Sequence, residues 1–330
     1  MAAAGADRTG IHALAVPTPF AIGRVNCYLV EDDPLTLVDA GPNSATSLVA
    51  LERMLAEHGR RVEDLERVVL THQHMDHVGL AGILASRSGA EVVALDLLAP
   101  YLADWDASME ADDRFAERVM ARHGVPDEVA VALRAVSALA RGWGASVAVT
   151  RTLVDGDELG FAGRTWRAHR RPGHSPTDTV FHDERSGELI VGDHLLPRIS
   201  SNPVAARPPD GPIDAPRPHS LRMYVDSMTL TRDMEVTTVH PGHGESFAGH
   251  ATLIDDRLRM HERRADKLHR LISEQPRSAH ELAQEMWGSV AIAQAYLTLS
   301  EVLGHTDLLV EQGRVREEET DGVVRFFATG

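Results

Sequence analysis

Thr71-His72-Gln73-His74-Met75-Asp76-His77 follows the apolar run Val68-Val69-Leu70, which reads as a short buried strand. Four of its seven residues are imidazoles or carboxylates. His72 and His74 are two apart, so an extended segment points them the same way. Asp76 and His77 stand where a helix over 78–84 is expected to begin. Such a loop offers His72 and His74 to one cation and Asp76 and His77 to a second. Neutral imidazole and carboxylate suit zinc, and also iron, manganese or nickel. With 18 histidines in 330 residues, one alone would mean little. Three with an aspartate in six positions, at a strand-to-helix switch, point to metal.

Composition sets the frame. At 330 residues the chain predicts one large domain and a small one. A hydrophobic content of 43% supplies a sizeable core, and no apolar run is long enough for a transmembrane helix. Residues 1–10, MAAAGADRTG, lack a basic-then-apolar pattern; they read as a frayed terminus and not as a signal peptide. The single cysteine, Cys27, fits a reducing cytoplasm and reads as a small core residue in a strand-like run. A net charge of −16 counts against nucleic acid as partner.

Outward from the metal loop, strands are expected near 12–16, 24–30, 35–38 and 91–95, with a helix over 44–58. Residues 97–141 interrupt this order with two or three helices and read as an insertion. Its large apolar residues, among them Trp105, Met109 and Phe115, suit packing, or a lid beside a cleft. Strands resume at 146–149, 151–154, 165–169, 179–182 and 188–191. Seven prolines exclude helix and central strand from 197–220. A helix over 221–234, a strand at 236–239 and a charged helix, 251–275, lead to a terminal unit, 276–330. There a helix near 280, a second over 292–304, and strands at 308–315 and 323–328 make a winged-helix-like order.

Three more ligand candidates stand at strand ends: His174 in Pro-Gly-His-Ser, Asp193 after Ile190-Val191-Gly192, and His243 in Pro-Gly-His-Gly. His72-Gln73-His74-Met75-Asp76-His77, with these three in this order, resembles the metallo-β-lactamase superfamily over most of 12–250. The resemblance implies an α/β fold, a four-layer αββα sandwich with metals at one edge between its sheets. By similarity His72, His74 and His174 hold one cation, Asp76, His77 and His243 hold the other, and Asp193 bridges them. Asp39, in Val38-Asp39-Ala40-Gly41, matches a position that orients ligands. The implied cofactors are two divalent metal ions, zinc first, with iron or manganese as alternatives. The implied mechanism is attack by a metal-bridging hydroxide, with Asp76 steering the proton. His169, His182, His194 and His240 read as packing or surface residues.

The superfamily's fold does not choose the substrate. The terminal unit after this core resembles the lactamase-like-2 group and also the glyoxalase-II-like hydrolases, and the stretch from Gly192 to Asn202 resembles the latter. Acidic charge and the apolar insertion favour a small-molecule ester, thioester or lactone. The terminal unit alone favours an endoribonuclease or other nucleic-acid processing enzyme. Yet 276–330 carries nine carboxylates against four arginines, a poor phosphate binder, and is expected to pack or to form a homodimer. A redox member is disfavoured, since the chain has no Cys-x-x-Cys. Arg198, Asn202, His219 and Tyr224 are placed where they could face a cleft or the surface.

Overall fold

The computed structural model describes residues 10–329; the expected frayed terminus lies, apart from Gly10, outside them. Six strands form a first sheet in sequence order: β1 Ile11–Val16, β2 Val25–Val30, β3 Thr36–Val38, β4 Arg67–Val69, β5 Glu91–Leu95 and β6 Arg151–Leu153. The first three pair antiparallel and the last four are joined in parallel. A second sheet holds β7 Glu158–Gly160, β8 Thr165–Arg170, β9 Thr179–Asp183, β10 Glu188–Gly192 and β11 Thr238–Pro241, in the order β11-β10-β9-β8-β7.

Strand alternation fixes the layers. In β2, Cys27 and Leu29 join helix Ala45–Glu57 in an outer core, while Tyr28 and Val30 face the second sheet. Val68 and Val69 of β4 divide the same way. In β9 and β10, Phe181 and Ile190 meet the first sheet across the central core, whereas Val180, Leu189 and Val191 face helices Ser220–Arg232 and His250–Glu274. Three apolar cores therefore separate helix, sheet, sheet and helix, the four layers that the resemblance implied.

A fourth core joins two distant parts of the chain. Phe115, Val119 and Met120 of helix Trp105–Arg122 pack with Leu268 and Ile272 of helix His250–Glu274, and with Leu282, Leu299, Leu303 and Phe326. The last four come from the terminal unit, built from helices Ala279–Trp287, Val290–Ala293 and Ala295–Glu311 and a three-stranded sheet. That sheet holds β12 Arg277–Ser278, β13 Val315–Thr320 and β14 Val323–Ala328, with β14 central.

Some local expectations change. Residues 146–149 are not a strand: their Val-Ala-Val pattern packs against the insertion, Val147 donating to the Leu102 carbonyl at 2.9 Å. The edge of β5 is taken by β6. Residues 308–310 continue helix Ala295–Glu311, because Leu309 completes its buried face. The strand β7, missed in the sequence, is three residues long with only Leu159 buried.

Candidate metal centre

The site gathers at the ends of strands β4, β10 and β11, on one edge between the two sheets. After β4 the chain stays extended through His74, then turns into helix Met75–Val78, which carries Asp76 and His77. His174 sits in the turn between β8 and β9, Asp193 directly after β10, and His243 directly after β11. All seven predicted ligands converge. Their donor atoms form three groups within 4.8 Å: His72, His74 and His174; His72, His77 and Asp193; and Asp76, His77 and His243.

The Asp193 carboxylate lies between the triads. Its Oδ1 is 3.4 Å from His77 Nε2, and its Oδ2 is 3.7 Å from His174 Nε2 and 3.5 Å from His243 Nε2. His74 Nδ1 and His174 Nε2 are 3.0 Å apart, and Asp76 Oδ2 is 3.3 Å from His243 Nε2. Gly242 makes this approach possible: a Cβ there would stand 2.3 Å from Asp193 Oδ1.

Four of the five imidazoles are oriented from behind. His77 Nδ1 donates to Asp39 Oδ2 at 2.7 Å, His243 Nδ1 to the Arg24 carbonyl at 2.7 Å, and His174 Nδ1 to the Asn202 carbonyl at 3.1 Å. His72 Nδ1 donates to Thr71 Oγ1 at 3.0 Å, and that hydroxyl donates to Asp39. These bonds leave the Nε2 lone pairs aimed inward. His72 Nε2, His77 Nε2, His243 Nε2 and Asp193 Oδ1 are buried with no hydrogen-bond partner. Orphaned nitrogens and a carboxylate oxygen around one small volume fit a cation.

The electrostatics agree. Burial, then the neighbouring imidazoles, push His72 well below the usual histidine range; burial and His174 push His74 down to about 3. Both keep free lone pairs. Burial works to raise Asp193, but the neighbouring His77 and His243 imidazoles hold it well below the usual carboxylate range. Burial works to lower His77 and His243, yet the surrounding carboxylates carry His77 well above its ordinary value and His243 to about 9. Two buried carboxylates thus demand positive charge, and cations can replace protons in supplying it.

Asp39 has the role the resemblance implied, held at φ 60° with its oxygens on Thr71 and His77. Thr71 and the carbonyls of Arg24 and Asn202 escaped sequence reasoning; only the position of Thr71 beside His72 could have hinted at it. Asp178 was also missed: it accepts from the Ser175 N–H at 2.8 Å and so pins the turn that carries His174. Three of the four histidines read as packing or surface residues are engaged elsewhere. His194 bonds Thr231 Oγ1 at 2.9 Å, His240 bonds Ser246 and Glu188, and His182 meets the Glu235 carbonyl. Of the four cleft candidates only Asn202 borders the cavity over the site. Tyr224 is buried on the His194 carbonyl, His219 pairs with Glu311, and Arg198 is exposed.

This chain belongs to the metallo-β-lactamase superfamily, whose family model matches residues 21–243. Within that fold its histidine and aspartate groups are suited to divalent metal. It is 34% identical to the "Probable metallo-hydrolase YqjP" of Bacillus subtilis (strain 168), over 90% of this chain and 91% of that one. Two solved structures follow nearly the whole chain. A metallo-β-lactamase family protein from Thermus thermophilus superposes with a TM-score of 0.79 at 26% identity, covering 97% of this chain and 99% of its own. A β-lactamase domain protein from Burkholderia ambifaria gives 0.81 at 29%, covering 97% and 92%. No helix among the described residues is long and apolar enough to cross a membrane.

Proposed function

We propose that the chain is a dinuclear metal-dependent hydrolase of a small-molecule ester, thioester or lactone, acting in the cytoplasm. The observation that carries this reading is the Asp193 carboxylate set between two imidazole groups, with the inward nitrogens of His72, His77 and His243 lacking partners. His72, His74 and His174 would hold one divalent cation, Asp76, His77 and His243 the second, with Asp193 shared. Zinc suits this donor set first, and iron or manganese are alternatives. Bound there, the cations supply activated water near neutral pH and a Lewis acid for the attacked carbonyl. The chain's own part is positional. Asp39, Thr71 and the carbonyls of Arg24 and Asn202 hold the imidazoles in one tautomer. Asp76 borders the cavity, and its carboxylate can take up a proton as water adds to the carbonyl carbon.

Small molecules are favoured over nucleic acid by the terminal unit itself. Helix Ala295–Glu311, which a winged helix would lay in a groove, has 12 buried residues out of 17. Its neighbouring hairpin strand carries Glu317, Glu318 and Glu319. The test is metal dependence. Chelation should abolish hydrolysis of a thioester and lactone panel, and added zinc, manganese or iron should restore it. Elemental analysis should give two equivalents per chain, with Asp193→Asn lowering that number. Full activity in metal-free protein would overturn the reading.

A further inference from the structure

A cavity of about 890 Å³ opens over His74, Asp76, His174, Asp193 and His243. That is large for a small-molecule site. Its walls come from the insertion, the terminal unit and two loops, one at residues 20–22 and one at 199–207. The insertion gives Trp105, Met109 and Phe115; the terminal unit gives Trp287, Val290 and Leu297.

The charged groups and the tyrosine hydroxyls on these walls are already engaged. Arg207 donates to Asp112 at 3.0 Å, and Arg264 pairs with Glu301. The Tyr101 hydroxyl donates to Asp112 at 2.8 Å, and that of Tyr296 to the Ala205 carbonyl. Neither wall arginine is left to receive a carboxylate or phosphate. What remains for a ligand, apart from the Asn202 side-chain oxygen, is mainly apolar surface that begins at the metal-ligand candidates.

We propose that this cavity is an acyl-chain pocket: the substrate is an ester or thioester of a medium or long unbranched acid, its carbonyl over the metal ligands and its chain between the insertion and the terminal unit. This rests on the hydrolase reading above. The reaction is a plain hydrolysis. Water oxygen bonds to the carbonyl carbon, the C–O or C–S bond breaks, and a water proton passes to the leaving alcohol or thiol. No electron acceptor is needed.

Each buried methylene contributes about 0.8 kcal/mol, a factor of about four. The metal-replete protein is therefore tested on p-nitrophenyl esters from acetate to decanoate. Between butanoate and decanoate, kcat/KM should rise at least tenfold. Leu297→Asp places a carboxylate on the wall at a position 41% exposed, so folding tolerates it. It should cut the decanoate-to-butanoate ratio at least fivefold. Decanol, titrated into metal-free protein against the emission of Trp105 and Trp287, reads the pocket without turnover. A saturable change that Leu297→Asp weakens is expected. Ester hydrolysis with a flat chain-length profile overturns the acyl pocket and leaves the hydrolase reading standing. Failure to hydrolyse any ester, thioester or lactone overturns both, and decanol binding then reports only an apolar cavity.

Discussion

Asp39 is not expected to touch a cation, yet it orients two of the residues that would. One oxygen takes the His77 Nδ1 proton at 2.7 Å, and both take bonds from Thr71, which in turn faces His72. Replacing it by Asn keeps the shape but offers an N–H where His77 needs an acceptor. Partners behind metal-binding histidines are typically worth about 10–100-fold in affinity. Asp39→Asn should therefore weaken metal binding by roughly that factor in a chelator-competition titration, with the folded state retained. Unchanged affinity would mean that His77 is oriented by packing alone. At this scale the sequence was informative about ligands and poor about their supports. His72, His174, Asp193 and His243 stand at strand ends beside glycines or in a dense motif, and both are local signals. The carbonyls of Arg24 and Asn202 carry no side-chain signature. They reach His243 and His174 through tertiary contacts alone.

Between elements, the junction of insertion and terminal unit is held by apolar packing around a buried histidine. His123 caps helix Trp105–Arg122, lies parallel to the Phe326 ring, and accepts at its carbonyl from the His280 N–H at 3.2 Å. Burial, with smaller contributions from Arg217 and Arg122, pushes its imidazole down to about 3. In the unfolded chain it titrates near 6.5. Between these values the unfolded state binds the proton and the folded state does not, so acidification favours unfolding. Stability should fall below pH 6.5, at a limiting slope of about 1.4 kcal/mol per pH unit for this group. His123→Leu should flatten the fall in Tm between pH 6.5 and 4 by that component. An identical slope in both proteins would show that His123 is free to protonate in the fold. The elements themselves were mostly readable, since β2, β9 and β10 are short runs rich in β-branched and aromatic residues. The failures, 146–149 and 308–310, are short apolar runs whose periodicity suits strand, helix or coil, and tertiary contacts decided between them.

The sequence placed the insertion and the terminal unit as separate excursions, because nothing local couples residues so far apart in the chain. Folded, they share one core: Phe115, Val119 and Met120 lie against Leu282, Leu299, Leu303 and Phe326, with Leu268 and Ile272 between. The seven candidate ligands around Asp193 all precede this unit, the last in the chain being His243. A chain ending at residue 275 would thus keep every ligand while losing the cover of this core and the Trp287, Val290 and Leu297 wall of the cavity. Uncovering side chains of this size costs roughly 1.5–3 kcal/mol each. Five of them, Phe115, Val119, Met120, Leu268 and Ile272, would then lose as much as a typical domain has, about 5–15 kcal/mol. The truncated chain is expected to be insoluble, or soluble with strong binding of an apolar dye and loss of a cooperative thermal transition. A soluble, cooperatively folding truncation with full metal content would instead make the terminal unit an appendage. The insertion would then have to hold its apolar face against water without it. Because one surface both stabilises the insertion and walls the cavity, substitutions there should move stability and substrate range together, whereas substitutions among the seven metal ligands should move metal content without altering chain-length preference.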